Sequence, residues 1–203
     1  MRNSWILVIV FICCGSIVGQ NDNEEDIVGI FQGELYSNHV LGFSFKVPSK
    51  WYVPTKDQIK KYEEIVKNEL QTGNPKFDKK GGRYDKIEFA ISKKKIDEPE
   101  NSVLGYAVTK QPSSSITAKM VAEATKDHFL KISDFKLIKD ISTERHGNRD
   151  FTTFEMGLHS FPKQRVRTYM MMQDVYLITF ILTYCDEDSL KVMMDSLNTI
   201  KFQ

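Results

Sequence analysis

Leu41, Phe43, Phe45 and Val47 alternate with Gly42, Ser44 and Lys46, the period of two of a half-buried strand. Gly33 to Ser37 is expected to pair with it, and Pro48 ends it. Thr55-Lys56-Asp57-Gln58 has the form of a capping box, in which the Thr hydroxyl and the Gln side chain bond each other's backbone amides. Ile59, Tyr62, Val66 and Leu70 then recur at helical spacing, and Gly73-Asn74-Pro75 ends that helix. Ile87, Phe89 and Ile91, and later Leu104, Tyr106 and Val108, alternate again as strands. Pro112-Ser113-Ser114-Ser115 opens a second predicted helix running to about Ile132, with Ile116, Met120, Val121, Ala124 and Phe129 inward.

The last third reads as four strands and a helix. Phe135–Thr143 is followed by a turn at His146-Gly147-Asn148. Phe151–Leu158 follows, with Phe154, Met156 and Leu158 on one face. Val166, Thr168, Met170 and Met172 line the next strand, and Asp174 permits a tight reversal. Val175–Tyr184 is apolar on both sides, with Leu177, Thr179 and Ile181 on one face and Ile178, Phe180 and Leu182 on the other. Asp186-Glu187-Asp188-Ser189 starts a third helix whose stripe is Leu190, Met193, Met194 and Leu197. Short turns between neighbouring strands permit antiparallel hairpins and forbid parallel crossovers. A strand apolar on both faces is covered on both faces. The expected architecture is therefore α+β, a three-layer α/β/α sandwich with a central, mainly antiparallel sheet.

The N-terminus carries an address. Arg2 precedes an unbroken apolar run of ten residues, Trp5 to Cys14, and small residues follow to Gly19. The run is short of the roughly 20 residues that span a bilayer, so residues 1–19 read as a signal peptide cleaved after Gly19, with Gly15 as the second choice. A retained short anchor is the alternative. Val10-Phe11-Ile12 is a poor match to the small residues that precede a lipid-attachment cysteine at Cys13 or Cys14. Residues 20–32 read as a flexible acidic leader and residues 33–203 as one domain. Cleavage would leave 27 basic and 27 acidic residues, a balance that gives no footing for nucleic-acid binding. It would also leave one cysteine, Cys185, so the expected fold rests on its core rather than on a disulfide.

Asn38-His39-Val40-Leu41-Gly42-Phe43-Ser44-Phe45-Lys46-Val47-Pro48, followed by Trp51, resembles the opening of the PsbP-like family. Tyr176-Leu177-Ile178-Thr179-Phe180, a short acidic cap, a helix, Ser196-Leu197 and Ile200-Lys201-Phe202 resemble the way such domains close. The resemblance covers about residues 33–202 and consists of fold motifs, not catalytic ones. It implies a secreted or extrinsic α/β/α domain. The family includes an extrinsic photosystem II subunit and many secreted bacterial relatives, and the fold is shared with a nuclear-import factor that binds a small GTPase. No common catalytic site unites them.

The sequence contains no G-x-S-x-G, P-loop, H-E-x-x-H or G-x-G-x-x-G. His39, His128, His146 and His159 have no metal-ligand spacing. Cys185 stands just before a helix, where a thiol can be activated, but Asp186, Glu187 and Asp188 oppose a thiolate. Those acids suit a helix start as well as a cation. Lys163, Arg165 and Arg167 alternate along one strand, and a cross-strand ion pair with Glu155 accounts for at least one of the arginines. The methionines suit core packing or an adaptable pocket. Lys76, Lys79, Lys80 and Arg83, around Gly81-Gly82, form a basic loop and are the candidate contact residues. The expectation is a monomeric, non-catalytic secreted PsbP-like domain with no cofactor and no metal. It binds a partner protein or supports assembly peripherally at a membrane surface. A small-ligand or lipid-binding protein and an unrecognised hydrolase are the alternatives.

Overall fold

A computed structural model describes residues 29–55, 57–58, 86–95, 98, 100–131 and 134–203. The chain forms β1 (Ile30–Gln32), β2 (Leu35–Asn38), β3 (Phe43–Lys46), β4 (Lys86–Ser92) and β5 (Val103–Lys110). Then come α1 (Ala118–Leu130), β6 (Phe135–His146), β7 (Arg149–Leu158), β8 (Arg165–Gln173), β9 (Tyr176–Tyr184), α2 (Glu187–Leu197) and β10 (Lys201–Phe202). The strands make two sheets, a four-stranded one in the order β1-β2-β3-β10 and a six-stranded one in the order β4-β5-β9-β8-β7-β6. Every pairing in both is antiparallel.

This corrects the expected three-layer α/β/α sandwich. The fold is β-rich, with ten strands and two short helices among the described residues. The sequence reading of β9 is right in part, since both of its faces are buried. Leu177 and Ile181 enter a core with Val121, Ala122 and Phe129 of α1. Ile178, Phe180, Leu182 and Tyr184 face the other way, into a core shared with Tyr36, Phe43 and Phe45 of the small sheet and Leu190, Met193 and Leu197 of α2. The cover on that second face is mainly a sheet, not a layer of helices. Alternation along a strand reports that a face is buried and is silent about what buries it.

Aromatic rings hold the two sheets together. Tyr36 lies 4.5 Å from Phe89 and 5.7 Å from Tyr106, centroid to centroid. Phe43 meets Phe180 edge-on at 5.8 Å. The polar ends inside this layer are bonded to each other: the Tyr36 and Tyr106 hydroxyls are 2.5 Å apart, and Asn38 Nδ2 donates to Tyr106 Oη at 3.0 Å. A buried hydroxyl left unbonded would lose its water without compensation. β1, which sits in the stretch read above as leader, pairs Ile30 with Ser37 and Gln32 with Leu35.

Local signals are realised at several ends. Thr55 N donates to Gln58 Oε1 at 2.8 Å and Gln58 N to Thr55 Oγ1 at 3.3 Å, the reciprocal bonds of a capping box. Positions 59–75, read as the body and end of that helix, lie outside the described residues. Thr55→Ala is expected to lower stability by about 1 kcal/mol, read as a shifted denaturant midpoint at unchanged slope. Asp186 caps α2 by accepting from Ser189 N at 2.7 Å. The second helix begins later than expected, at Ala118 under a Thr117 cap, and not at Pro112–Ser115. Its inner face is also rotated. Val121, Ala122, Thr125 and Phe129 are buried, whereas Ala124 is exposed and Met120 is 53 % exposed. The cap fixes where the helix starts and so which residues turn toward β6, β7 and β8.

Candidate functional site

A groove opens where the end of α2, the outer side of β2 and β3, and the β6–β7 turn converge. Asn198 ends α2, its amide bonded to Met194 O at 2.9 Å. Thr199 then turns the chain: its Oγ1 donates to Ser196 O at 2.7 Å and accepts from Lys46 N at 2.8 Å. Ser196 Oγ donates to Lys46 O, so two side chains from the helix end complete the edge of β3 before β10 takes over. On the far bank, Gly147 has φ +58° and faces Ile200. A Cβ there would fall 2.0 Å from Ile200 O, so only glycine permits the approach.

The resulting cavity is about 740 Å³, and Leu35, Ser44, Lys46, Asn148, Asn198 and Lys201 are among its lining residues. That volume is within the range of ligand sites. Both charged residues that line it are lysines, and neither has an acidic partner among the described residues. Arg149 adds a third cation nearby, with its guanidinium 5.6 Å from the centre of the Phe202 ring.

Behind the groove, a chain of polar side chains crosses the sheet. His146 Nδ1 shares a 2.8 Å hydrogen bond with Asn198 Oδ1, and His146 Nε2 lies 3.7 Å from Glu144 Oε2. Glu144 takes Lys139 Nζ at 2.6 Å and Tyr169 Oη at 3.0 Å. Burial pushes its carboxyl up, but those two bonds together with the charges of Lys139 and Arg167 outweigh burial and hold it below the usual range. Arg167 Nη1 donates to Tyr169 Oη at 3.4 Å, while its Nε and Nη2 clamp Glu155 Oε2 at 2.8 and 2.6 Å. Tyr184 is pushed up, first by burial and then by the charge of Glu155. The expected Glu155–arginine pair is therefore present, with Arg167 as the partner directly across the ladder.

Burial pushes the Tyr169 phenol up to about 12. An unfolded tyrosine ionises near pH 10. The unfolded state therefore loses its proton first, and stability present below pH 10 is lost as pH rises toward 12. The loss assigned to Tyr169 is about 3 kcal/mol. Urea titrations at pH 9 and pH 11.5 are expected to show a smaller alkaline loss in Tyr169→Phe than in the wild type. Equal losses would place the phenol in water.

The other candidates take structural places. Burial, then the charges of Glu100 and Asp186, push the Cys185 thiol up, away from an activated nucleophile. Asp186 serves as helix cap and takes Lys93 Nζ at 3.4 Å, in place of holding a cation. Burial and Lys131 pull His128 down. Met170, Met171 and Met193 are buried in the two cores. Lys76, Lys79, Lys80 and Arg83 lie outside the described residues. No group of three or more potential metal ligands occurs among the described residues. Sequence reasoning did not find Lys46, Asn148, Asn198 or Lys201. They come from three distant stretches, and the nearest signal was the His146-Gly147-Asn148 turn.

Two packed antiparallel sheets with an α-helix on the outer face of the larger one define a fold also seen in solved structures. The solution structure of cyanobacterial PsbP (CyanoP) from Synechocystis sp. PCC 6803 matches with a TM-score of 0.51 at 15 % identity, over 92 % of this chain and 99 % of that one. At that identity the likeness is one of fold. A crystal structure from Bacteroides thetaiotaomicron VPI-5482 matches at a TM-score of 0.41 and 11 % identity, over 80 % of this chain and 45 % of that one. No family model matches the sequence. No curated protein matches it either.

Proposed function

We propose that this chain is a non-catalytic, exported domain of the PsbP-like fold that binds a partner protein through the groove, at or near a membrane surface. The observation that carries the reading is how the reactive groups beside the groove are engaged. Glu144, Tyr169, Arg167 and Glu155 are bonded to one another and His146 is bonded through Nδ1 to Asn198, and these bonds hold the elements together. The polar side chains that line the groove are two amides, two hydroxyls and two lysines, which recognise better than they react. The fold likeness to CyanoP agrees with this reading. The apolar run Trp5–Cys14 with its small-residue tail supports export, and no helix among the described residues is long and apolar enough to cross a membrane.

Photo-crosslinking tests the binding surface. A benzophenone side chain at Asn148, in cells that produce the protein, is expected to trap a discrete adduct in the envelope fraction. The same group at Glu123, on the exposed face of α1, is expected to trap none. Equal adducts from both sites, or none from either, would overturn the reading. The intact mass of the exported form is expected to begin at Gln20. A mass that includes Trp5–Cys14 would remove the export claim.

A further inference from the structure

We propose that the occupant of the groove is an extended acidic segment of the partner, carrying apolar residues among its carboxylates. This rests on the partner-binding reading above and names the chemistry of the same site.

The register of the small sheet sets out the outer face in two rows. One runs Ile30, Ser37, Ser44, Lys201, and the other Gln32, Leu35, Lys46. Side chains alternate across a strand, so these residues share one face, while Tyr36, Phe43 and Phe45 take the other. Each row ends on a lysine at the groove. Leu35 is exposed next to Lys46, and Ile30 is exposed at the far end of the other row, on β1.

The charge of the groove has one sign, while Asn148 and Ser44 can each donate as well as accept. Lysine ammonium groups only donate, and Asn198 gives its side-chain oxygen to His146, which leaves its amide nitrogen as a donor. Thr199 Oγ1 is already engaged with Lys46 N and Ser196 O. A surface with unneutralised cations and amide donors within reach is complementary to carboxylates. Several cations elsewhere are matched, as in Lys93–Asp186, Lys126–Asp140, Lys139–Glu144 and Arg145–Asp150. At the groove Lys46 and Lys201 stand unmatched among the described residues, and Arg149 reinforces their sign from the ring of Phe202. The exposed Leu35 in the groove, with Ile30 further along the same face, favours an extended segment that brings apolar side chains as well, over a small inorganic anion.

The test uses the exported chain and a fluorescein-labelled decapeptide of alternating glutamate and leucine, with a lysine–leucine decapeptide as its counterpart. Fluorescence anisotropy is expected to show binding of the glutamate peptide that weakens as salt is raised. Lys46→Glu combined with Lys201→Glu is expected to reduce affinity at least about tenfold. Lys119→Glu on α1, combined with Lys131→Glu at its C-cap, is expected to leave affinity within about twofold. Both lysine pairs are exposed, and an unchanged melting curve confirms folding. Lys46→Gln with Lys201→Gln provides a milder variant should reversal disturb the sheet. Equal affinity of the groove reversal and the wild type, equal loss in the α1 control, or equal binding of the lysine peptide would overturn the proposal. The Asn148 crosslink separates the two levels. An adduct that persists in the Lys46→Glu, Lys201→Glu protein sinks the acidic-segment claim and leaves partner binding standing. Absence of the adduct in the wild type removes the reading beneath it.

Discussion

Phe180→Ala is expected to destabilise the protein by about 3–5 kcal/mol, and Leu177→Ala by about 2–5 kcal/mol. Both side chains are 0 % exposed, yet they lie on opposite faces of β9. Phe180 has ring centroids 5.8 Å from Phe43, 5.8 Å from Phe45, 5.6 Å from Tyr106 and 6.0 Å from Phe151. Removing it opens a hole where the two sheets meet, and neighbouring rings refill such a space incompletely. Leu177 belongs to the other core, with Val121 and Phe129 of α1. Urea titration of each single variant provides the measurement, with unchanged slopes marking a change in stability alone. A near-neutral Phe180→Ala would mean that the small sheet does not seal that face. A near-neutral Leu177→Ala would mean the same for the opposite side.

Arg167→Met is expected to lower stability by about 3–5 kcal/mol, because it strands the Glu155 carboxylate. That side chain is 6 % exposed, and both guanidinium bonds to it come from Arg167. A lone buried charge has lost its water and gained nothing in return. Adding Glu155→Leu to Arg167→Met is expected to recover much of the loss, since the pair itself contributes little beyond its own desolvation. The signature is non-additivity between the single and double variants in urea titrations. A harmless Arg167→Met, or a double variant as unstable as the sum of the singles, would show that the two groups act independently. Tyr169 accepts from Arg167 and donates to Glu144, so the alkaline limb of the stability profile is expected to change in Arg167→Met as well.

Local chemistry marked much of this protein in advance. The strand carrying Phe43 and Phe45, the four strands after α1 and the stripe on α2 follow from residue alternation and helical spacing, which depend on backbone geometry alone. The Thr55 box and the Asp186 cap follow from side chains that bond their own backbone three residues on. Glu155 and Arg167 were legible as neighbours because two strands joined by a short turn have few registers open to them. Tertiary structure decided the rest. An apolar face is equally content against a helix or a sheet, so the cover over Phe180 was settled only when Tyr36, Phe43 and Phe45 folded onto it. The inner face of α1 was settled by the Thr117 cap and the strands beneath, which buried Thr125 and left Met120 in water. The groove had no local signal, because Lys46, Asn148 and Lys201 meet only after β10 pairs with β3 and Gly147 closes onto Ile200. A sequence specifies bonds between near neighbours through spacing, whereas a surface assembled from distant segments exists only once long-range pairing has placed them.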